Sequence, residues 1–212
     1  MSKGKLFVIS GCSGVGKSTV LSLVMDKRRD LQFSVSATTR GPRPMEQEGV
    51  SYYFVSKEKF LDMIANDEFL EYDAHMDNYY GTPRKQLEDK LKKGSVILDI
   101  EPNGAFIVRN NCPDAVLIFV APPSLEVLEK RLRGRGDTTE EQIRVRLDRA
   151  AWEMAQGKRY DHYVVNDRVD TCVEEILNII AQEGVSVHAL RIKVAPSSKN
   201  TPNASQFAHS PM

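Results

Sequence analysis

The segment Gly11-Cys12-Ser13-Gly14-Val15-Gly16-Lys17-Ser18 follows an apolar run, Leu6-Phe7-Val8-Ile9, and opens a stretch with helical spacing from Lys17 to about Arg28. A G-x-x-x-x-G-K-S pattern in that setting constrains the fold strongly: a buried strand, a glycine turn whose backbone N–H groups converge on an anion, then a helix. The helix N-terminus adds positive potential, Lys17 can reach between β- and γ-phosphates, and Ser18 offers a hydroxyl to Mg²⁺. The loop from Gly11 to Thr19 (Gly11, Cys12, Ser13, Gly14, Val15, Gly16, Lys17, Ser18, Thr19) therefore implies a nucleoside triphosphate with magnesium. Cys12 lies near a helix N-terminus, where a thiol either packs as an inert small side chain or becomes reactive through a lowered pKa.

Further apolar runs repeat the theme. Val96–Ile100, Val116–Val120 and Tyr163–Val165 read as buried strands separated by helical spacing, which predicts parallel β-α-β units in a three-layer α/β/α core with a parallel central sheet. A helix after Ser124 carries Leu125, Leu128 and Leu132 on one face. The next helix opens at Thr139, which with Gln142 has capping-box spacing. Its expected apolar stripe is Ile143, Leu147, Ala150, Ala151 and Met154, leaving Arg144, Arg146 and Arg149 to face water or a ligand. A last helix, about Thr171 to Ala181, turns Val173, Ile176, Leu177 and Ile180 inward. Trp152 reads as a partly buried packing residue, and His75, His162, His188 and His209 as structural or exposed.

Between residues 33 and 82 the texture changes to short alternating pieces, Phe33–Ser36, Tyr52–Val55 and Phe69–Tyr72, with a helix near Lys57 to Asn66. This predicts an inserted strand-rich subdomain at about 33–82 within a core of 1–32 and 83–183, and a helical lid at about 130–150. Residues 184–212 form a C-terminal extension rich in Ser, Pro and Asn towards its end, a composition expected to be disordered.

At 212 residues one domain with a small insert is expected. Lys plus Arg number 29 and Asp plus Glu 29, so no global basic excess exists to hold nucleic acid or an anionic membrane. No apolar run has the length of a membrane span, and no signal peptide is evident, so a cytoplasmic location is expected. Three widely spaced cysteines, Cys12, Cys112 and Cys172, suggest reduced thiols rather than disulfides or zinc.

A phosphate loop alone leaves GTPases, motor-like ATPases and small-molecule kinases open. There is no N-K-x-D motif for guanine recognition of the GTPase kind, and the chain is short for a motor, so a kinase leads. Residues 34–82 then bring together Arg40, Arg43, Tyr52, Tyr80 and Glu71, within the pieces Ser34-Val-Ser-Ala-Thr-Thr-Arg40 and Asn78-Tyr-Tyr-Gly-Thr82. Together with Pro113–Phe119, Arg133-Gly-Arg-Gly136 and Val164-Val-Asn-Asp167, the chain from about Gly4 to Ala181 resembles the guanylate kinases. The resemblance implies phosphoryl transfer from Mg-ATP to GMP and dGMP, with ADP and GDP or dGDP as products of purine nucleotide metabolism.

Carried over motif by motif, it implies that Arg40, Arg43, Tyr52 and Tyr80 hold the GMP phosphate, and that Ser36, Glu71, Thr82 and Glu101 read guanine. Lys17, Arg40 and the lid arginines Arg131, Arg135 and Arg146 surround the moving phosphoryl group; Asn166 matches an adenine-side contact. Asp99 would orient the magnesium waters. The chemistry agrees, since a guanidinium fork suits a phosphate dianion and a carboxylate can accept the adjacent N1–H and N2–H of guanine. Two positions depart from the family's pattern: Glu101, where a shorter Asp is common, and Cys12, usually proline. Two other readings remain beside this one: a non-catalytic module binding peptides in the same cleft, and a kinase for another phosphorylated metabolite.

Overall fold

Strand β1 (Leu6–Gly11) runs through the middle of the molecule, in a computed structural model that describes residues 4–75, 77–134 and 139–185. It leads into α1 (Lys17–Lys27) and the short β2 (Gln32–Phe33). Next come β3 (Ala37–Thr38), β4 (Tyr53–Phe54), α2 (Lys57–Ala65) and the antiparallel pair β5 (Phe69–His75) and β6 (Asn78–Pro83). The chain continues through α3 (Arg84–Leu91), β7 (Val96–Asp99), α4 (Pro102–Asn111), β8 (Val116–Ala121) and α5 (Leu125–Arg133). It ends with α6 (Glu140–Gly157), β9 (His162–Val165) and α7 (Val169–Val185).

The expected parallel sheet is present, in the order β2-β7-β1-β8-β9 with every pairing parallel. A strand in its centre has no solvated face, which is why β1 is apolar at consecutive positions rather than alternating ones. Phe7 and Ile9 enter a core with Val20 and Val24 of α1 and Ile176 and Ile180 of α7. Leu6 and Val8 point the other way, to Leu87 and Leu91 of α3 and to Ala105 and Val108 of α4. Helices thus cover both faces, and the three layers follow from the period-2 geometry of one buried strand.

A second sheet, β4-β3-β6-β5, mixes parallel and antiparallel pairs. Its small core is Ala37, Phe60, Met63 and Phe69. Phe60 stacks on Phe69 with ring centroids 4.5 Å apart and on Tyr79 at 5.5 Å.

Several details differ from expectation. The piece Phe33–Ser36 is not one strand of the insert: Phe33 pairs with Ile97 on the central sheet, and only Ala37–Thr38 joins the second sheet. A change of sheet within four residues leaves no periodicity to read. Helices α3 and α4 carry no strong apolar stripe in sequence; α3 buries only Leu87 and Leu91, a single i,i+4 pair. On α6, Ala151 and Trp152 are exposed, while Glu153 and Gly157 take the inward positions. Arg135, His188, His209 and the extension beyond Val185 lie outside the described residues. Among the described residues no helix is long and apolar enough to cross a membrane.

The capping box at Thr139 is present, with its hydroxyl accepting from the Gln142 N–H and the Gln142 side chain accepting from the Thr139 N–H. Loss of an N-cap hydroxyl costs about 1 kcal/mol. Thr139→Ala should therefore lower the melting temperature by about 2–4 °C in calorimetry, as expected for a domain of this size.

Candidate active site

Parallel sheets bind ligands outside the carboxyl ends of their strands, where neighbouring strands send their connections to opposite faces. Here that crevice lies at the ends of β1 and β7, and the chemistry-bearing residues gather around it. The loop after β1 turns through Gly14 and Gly16, both with positive φ (85° and 92°), a conformation a side chain would strain. Gly16 is the N-cap of α1 and supplies no side-chain cap, so the helix presents its N-terminal amides to whatever sits in the loop. Lys17 forms an ion pair with Asp99, which ends β7 in register with Ile9 of β1.

The loop is braced from behind. Asn166, 2% exposed after β9, donates its amide to the Val15 carbonyl at 2.8 Å. The Arg131 guanidinium of α5 donates to the carbonyls of Asn166 (2.9 Å) and Asp167 (3.1 Å) and lies 3.5 Å from that of Val15. Both side chains therefore tie β9 and α5 to the loop. Cys12 is 2% exposed, its thiol points at the Ala150 carbonyl, and burial with the nearby Glu153 carboxylate pushes its pKa up to about 12. Burial thus favours the thiol over the thiolate and supports the inert packing reading.

A cavity of about 240 Å³ opens from Lys17 and Asp99 to the second sheet. Ser36, Tyr52, Glu71, Tyr80, Ile100, Glu101 and Gly104 line it. Glu71 and Thr82 are directly opposite on β5 and β6, and the Thr82 hydroxyl donates to the Glu71 carboxylate at 2.5 Å. Burial raises the Glu71 carboxyl to about 7, with Asp73 adding to the rise and Thr82 opposing it. Gly104, at the start of α4, makes room for that carboxylate: a Cβ there would sit 2.7 Å from Oε2. A wider groove of about 550 Å³ between α5 and α6 is lined by Ile143, Leu147 and charged groups, of which Glu129, Arg133 and Glu140 are ion-paired, and gathers none of the phosphate-loop or second-sheet residues.

At the outer end of the cavity, Arg40 holds Glu46 through both terminal nitrogens, at 3.0 and 2.9 Å, and its guanidinium carbon lies 5.4 Å from the Tyr52 ring centroid. Glu46 also accepts from the Arg43 N–H at 2.8 Å. Tyr52 and Tyr80 meet edge to face with centroids 6.1 Å apart. Glu46 was not singled out from sequence, and its signal is slight: a glutamate in a Pro-rich loop.

The family model described as guanylate kinase matches residues 3–183. The chain belongs to the guanylate kinase family. It is 48% identical to the guanylate kinase of Latilactobacillus sakei over 88% of this chain and 93% of that one. With the guanylate kinase of Clostridioides difficile it shares 46% identity over 86% and 90% of the two chains. The crystal structure of guanylate kinase from Anaplasma phagocytophilum superposes with a TM-score of 0.73 at 34% identity, covering 89% and 90% of the chains.

Of the residues expected at a guanylate kinase site, Lys17, Ser36, Tyr52, Glu71, Tyr80, Asp99 and Glu101 line the cavity, and Arg40 and Thr82 contact its lining residues. Arg43 is exposed, and Arg146 lies half-buried on α6 with no ion pair among the described residues. Arg133 and Arg149 are not free surface charges: Arg133 pairs with Glu129 and Glu140, and Arg149 with Glu101 and Glu153.

A buried carboxyl with a raised pKa favours the folded state while protonated. That contribution is complete below the ordinary value of 4.5 and is lost as pH rises through about 7. Glu71→Gln is neutral at every pH, so its melting temperature relative to the unsubstituted chain should climb between about pH 5 and pH 8, by the equivalent of up to about 3 kcal/mol. A difference constant across that range would contradict the raised carboxyl.

Proposed function

We infer that the chain transfers the terminal phosphoryl group of ATP to GMP and dGMP, releasing ADP and GDP or dGDP. One observation carries the reading: a single cavity has the phosphate loop's Lys17 at one end and the buried Glu71–Thr82 pair at the other. Guanine offers N1–H and N2–H side by side, and a carboxylate accepts both, whereas adenine turns a lone pair to the same oxygens. Glu71 ionises as guanine binds, because the two donors stabilise the charge that burial alone disfavours. A site built on such bonds rejects the wrong base by about 10⁴ or more, since a mismatch leaves buried polar groups unpaired. Ser36 and the Thr82 hydroxyl complete the base contact, with Glu101 on the far wall.

The GMP phosphate falls to Arg40, Arg43, Tyr52 and Tyr80. Glu46 occupies the Arg40 fork with the bidentate geometry a phosphate uses, so binding exchanges one anion for another and never leaves the guanidinium unpaired. The nucleophile is a phosphate oxygen that is already anionic, so no general base is needed. Catalysis then consists of in-line placement and positive charge around the moving group. Lys17 supplies that charge from the loop, while Arg131, Arg135 and Arg146 supply it from a lid of about residues 130–150. The loop amides from Gly11 to Thr19 hold the ATP phosphates, and Asn166 keeps the loop in place beside the adenine.

The donor set fits a hard divalent cation. The Ser18 hydroxyl would ligate the ion and the Asp99 carboxylate would orient its water ligands, and among the described residues no cluster of three or more His, Cys, Asp or Glu could cage an ion. Such a site suits Mg²⁺ carried on nucleotide phosphates and water. When bound, the ion neutralises charge on the transferred phosphates. Residues 1–183 act as the catalytic domain, with about 33–82 as its GMP-binding part. A cytoplasmic enzyme of small nucleotides, without nucleic-acid or membrane partners, fits the zero net charge.

ADP release measured in a coupled assay with Mg-ATP and each nucleoside monophosphate tests the reading. Turnover is expected with GMP and dGMP and not with AMP, UMP or CMP; equal rates across the set would refute it. Arg146→Ala should lose about 10³-fold or more in kcat, as for other phosphoryl-transfer arginines, with GMP affinity nearly unchanged. A matching loss of GMP affinity would reassign Arg146 to substrate binding.

A further inference from the structure

Arg149 is placed between two carboxylates that belong to different parts of the molecule. Its Nε donates to Glu153 Oε1 at 3.1 Å, one turn further along α6, and its Nη2 contacts Glu101 Oε2, 48 residues away at the N-cap of α4. The two carboxylates are unlike. Glu153 has a side chain only 3% exposed, packed beneath the phosphate loop, and burial raises its pKa. Glu101 has a side chain 43% exposed and lines the cavity. A buried carboxylate cannot swing into water, so it anchors the guanidinium. A half-exposed glutamate with three side-chain torsions needs anchoring, and losing that freedom has an entropic cost each time a ligand requires one orientation.

The way the fork is divided carries the argument. If Arg149 served only to neutralise Glu153, its Nε and Nη2 would both face that carboxylate, the bidentate arrangement that guanidinium and carboxylate favour. Instead the fork is split, with one donor on the buried anchor and one aimed outward at the cavity wall. Glu101 is likewise not used to cap its own helix: it stands at the N-cap of α4 without a side-chain cap hydrogen bond, although the orphan amides of that helix lie nearby. Its carboxylate is held towards α6 and the cavity.

We propose that Arg149 is a positioning residue for guanine recognition, anchored on Glu153 and holding the Glu101 carboxylate in the orientation that meets the base. It touches no substrate and acts through Glu101. Because Arg149 follows Arg146 by three residues on α6, the same rigid helix sets the base-reading wall and carries a lid arginine. The proposal rests on the reading that Glu101 contacts guanine.

The test is steady-state kinetics on the full chain with GMP varied at saturating Mg-ATP, for Glu101→Gln, Arg149→Met and the double variant. Removing a charge-assisted hydrogen bond of this kind should raise KM for GMP about tenfold in Arg149→Met. KM for ATP should change by less than about twofold, and the double variant should be no worse than Glu101→Gln alone, because a positioning residue has nothing to position once its target is gone. Full multiplication of the two single effects, or a lower KM for GMP in Arg149→Met, would overturn the proposal. An unchanged KM for GMP in Glu101→Gln would remove the guanine role of Glu101, and the proposal with it, a failure distinct from that of Arg149. Because Arg149→Met leaves Glu153 buried beside no cation and can compromise folding, Arg149→Lys is the second variant. Its single ammonium pairs with Glu153 but cannot span both carboxylates, so it should keep the melting temperature and still raise KM for GMP; an unchanged KM would overturn the proposal.

Discussion

Strand β1 is buried on both faces and paired on both edges, and the active site depends on that confinement. Its register with β7 and β8 fixes where Gly11 ends and where Asp99 stands, so the phosphate loop begins from a point that cannot shift by a residue without moving a core side chain into the wrong layer. The loop itself turns through left-handed conformations that only glycine adopts without strain, and it has no side-chain cap. It keeps its shape because Asn166 and Arg131 grip its Val15 carbonyl from β9 and α5, which are in turn packed on the same sheet. Rigidity in the core is thereby converted into a fixed set of amide donors at the surface.

The second sheet solves a different problem. It must carry charged and polar groups to a cavity while being too small to bury much apolar surface, and it does so around a compact aromatic core of Phe60, Phe69 and Tyr79. Pairing Glu71 directly with Thr82 across two strands gives the buried carboxylate one neutral donor, which is too little to make the charge comfortable. A carboxyl so placed has more to gain from a partner that brings two N–H groups than from one that brings a lone pair, which is the chemical ground of the proposed preference for guanine.

Cations and carboxylates are paired across the cleft. Lys17 faces Asp99, Arg40 faces Glu46, and Arg149 faces Glu101 and Glu153. A site that must gather several phosphate anions needs many cations, and cations left together without counterions would repel one another and loosen the fold. Acidic partners on the protein hold these cations in place.

Local chemistry made much of this legible in the amino-acid order. The phosphate loop, the buried strands, the capping box at Thr139 and the strand-rich insert each rest on neighbours in sequence, where spacing and side-chain type are sufficient. Resemblance to a family added the names of residues such as Glu71 and Arg146. Tertiary structure alone decided the rest. It routed Phe33 to one sheet and Ala37 to another, silenced the Cys12 thiol by desolvation and turned Glu153 inward. It also took Arg149 from an unassigned helix face to a bridge between α4 and α6. Each of those outcomes is set by groups tens of residues apart. Burial and long-range pairing exist only once the chain has closed on itself, and no local pattern records them.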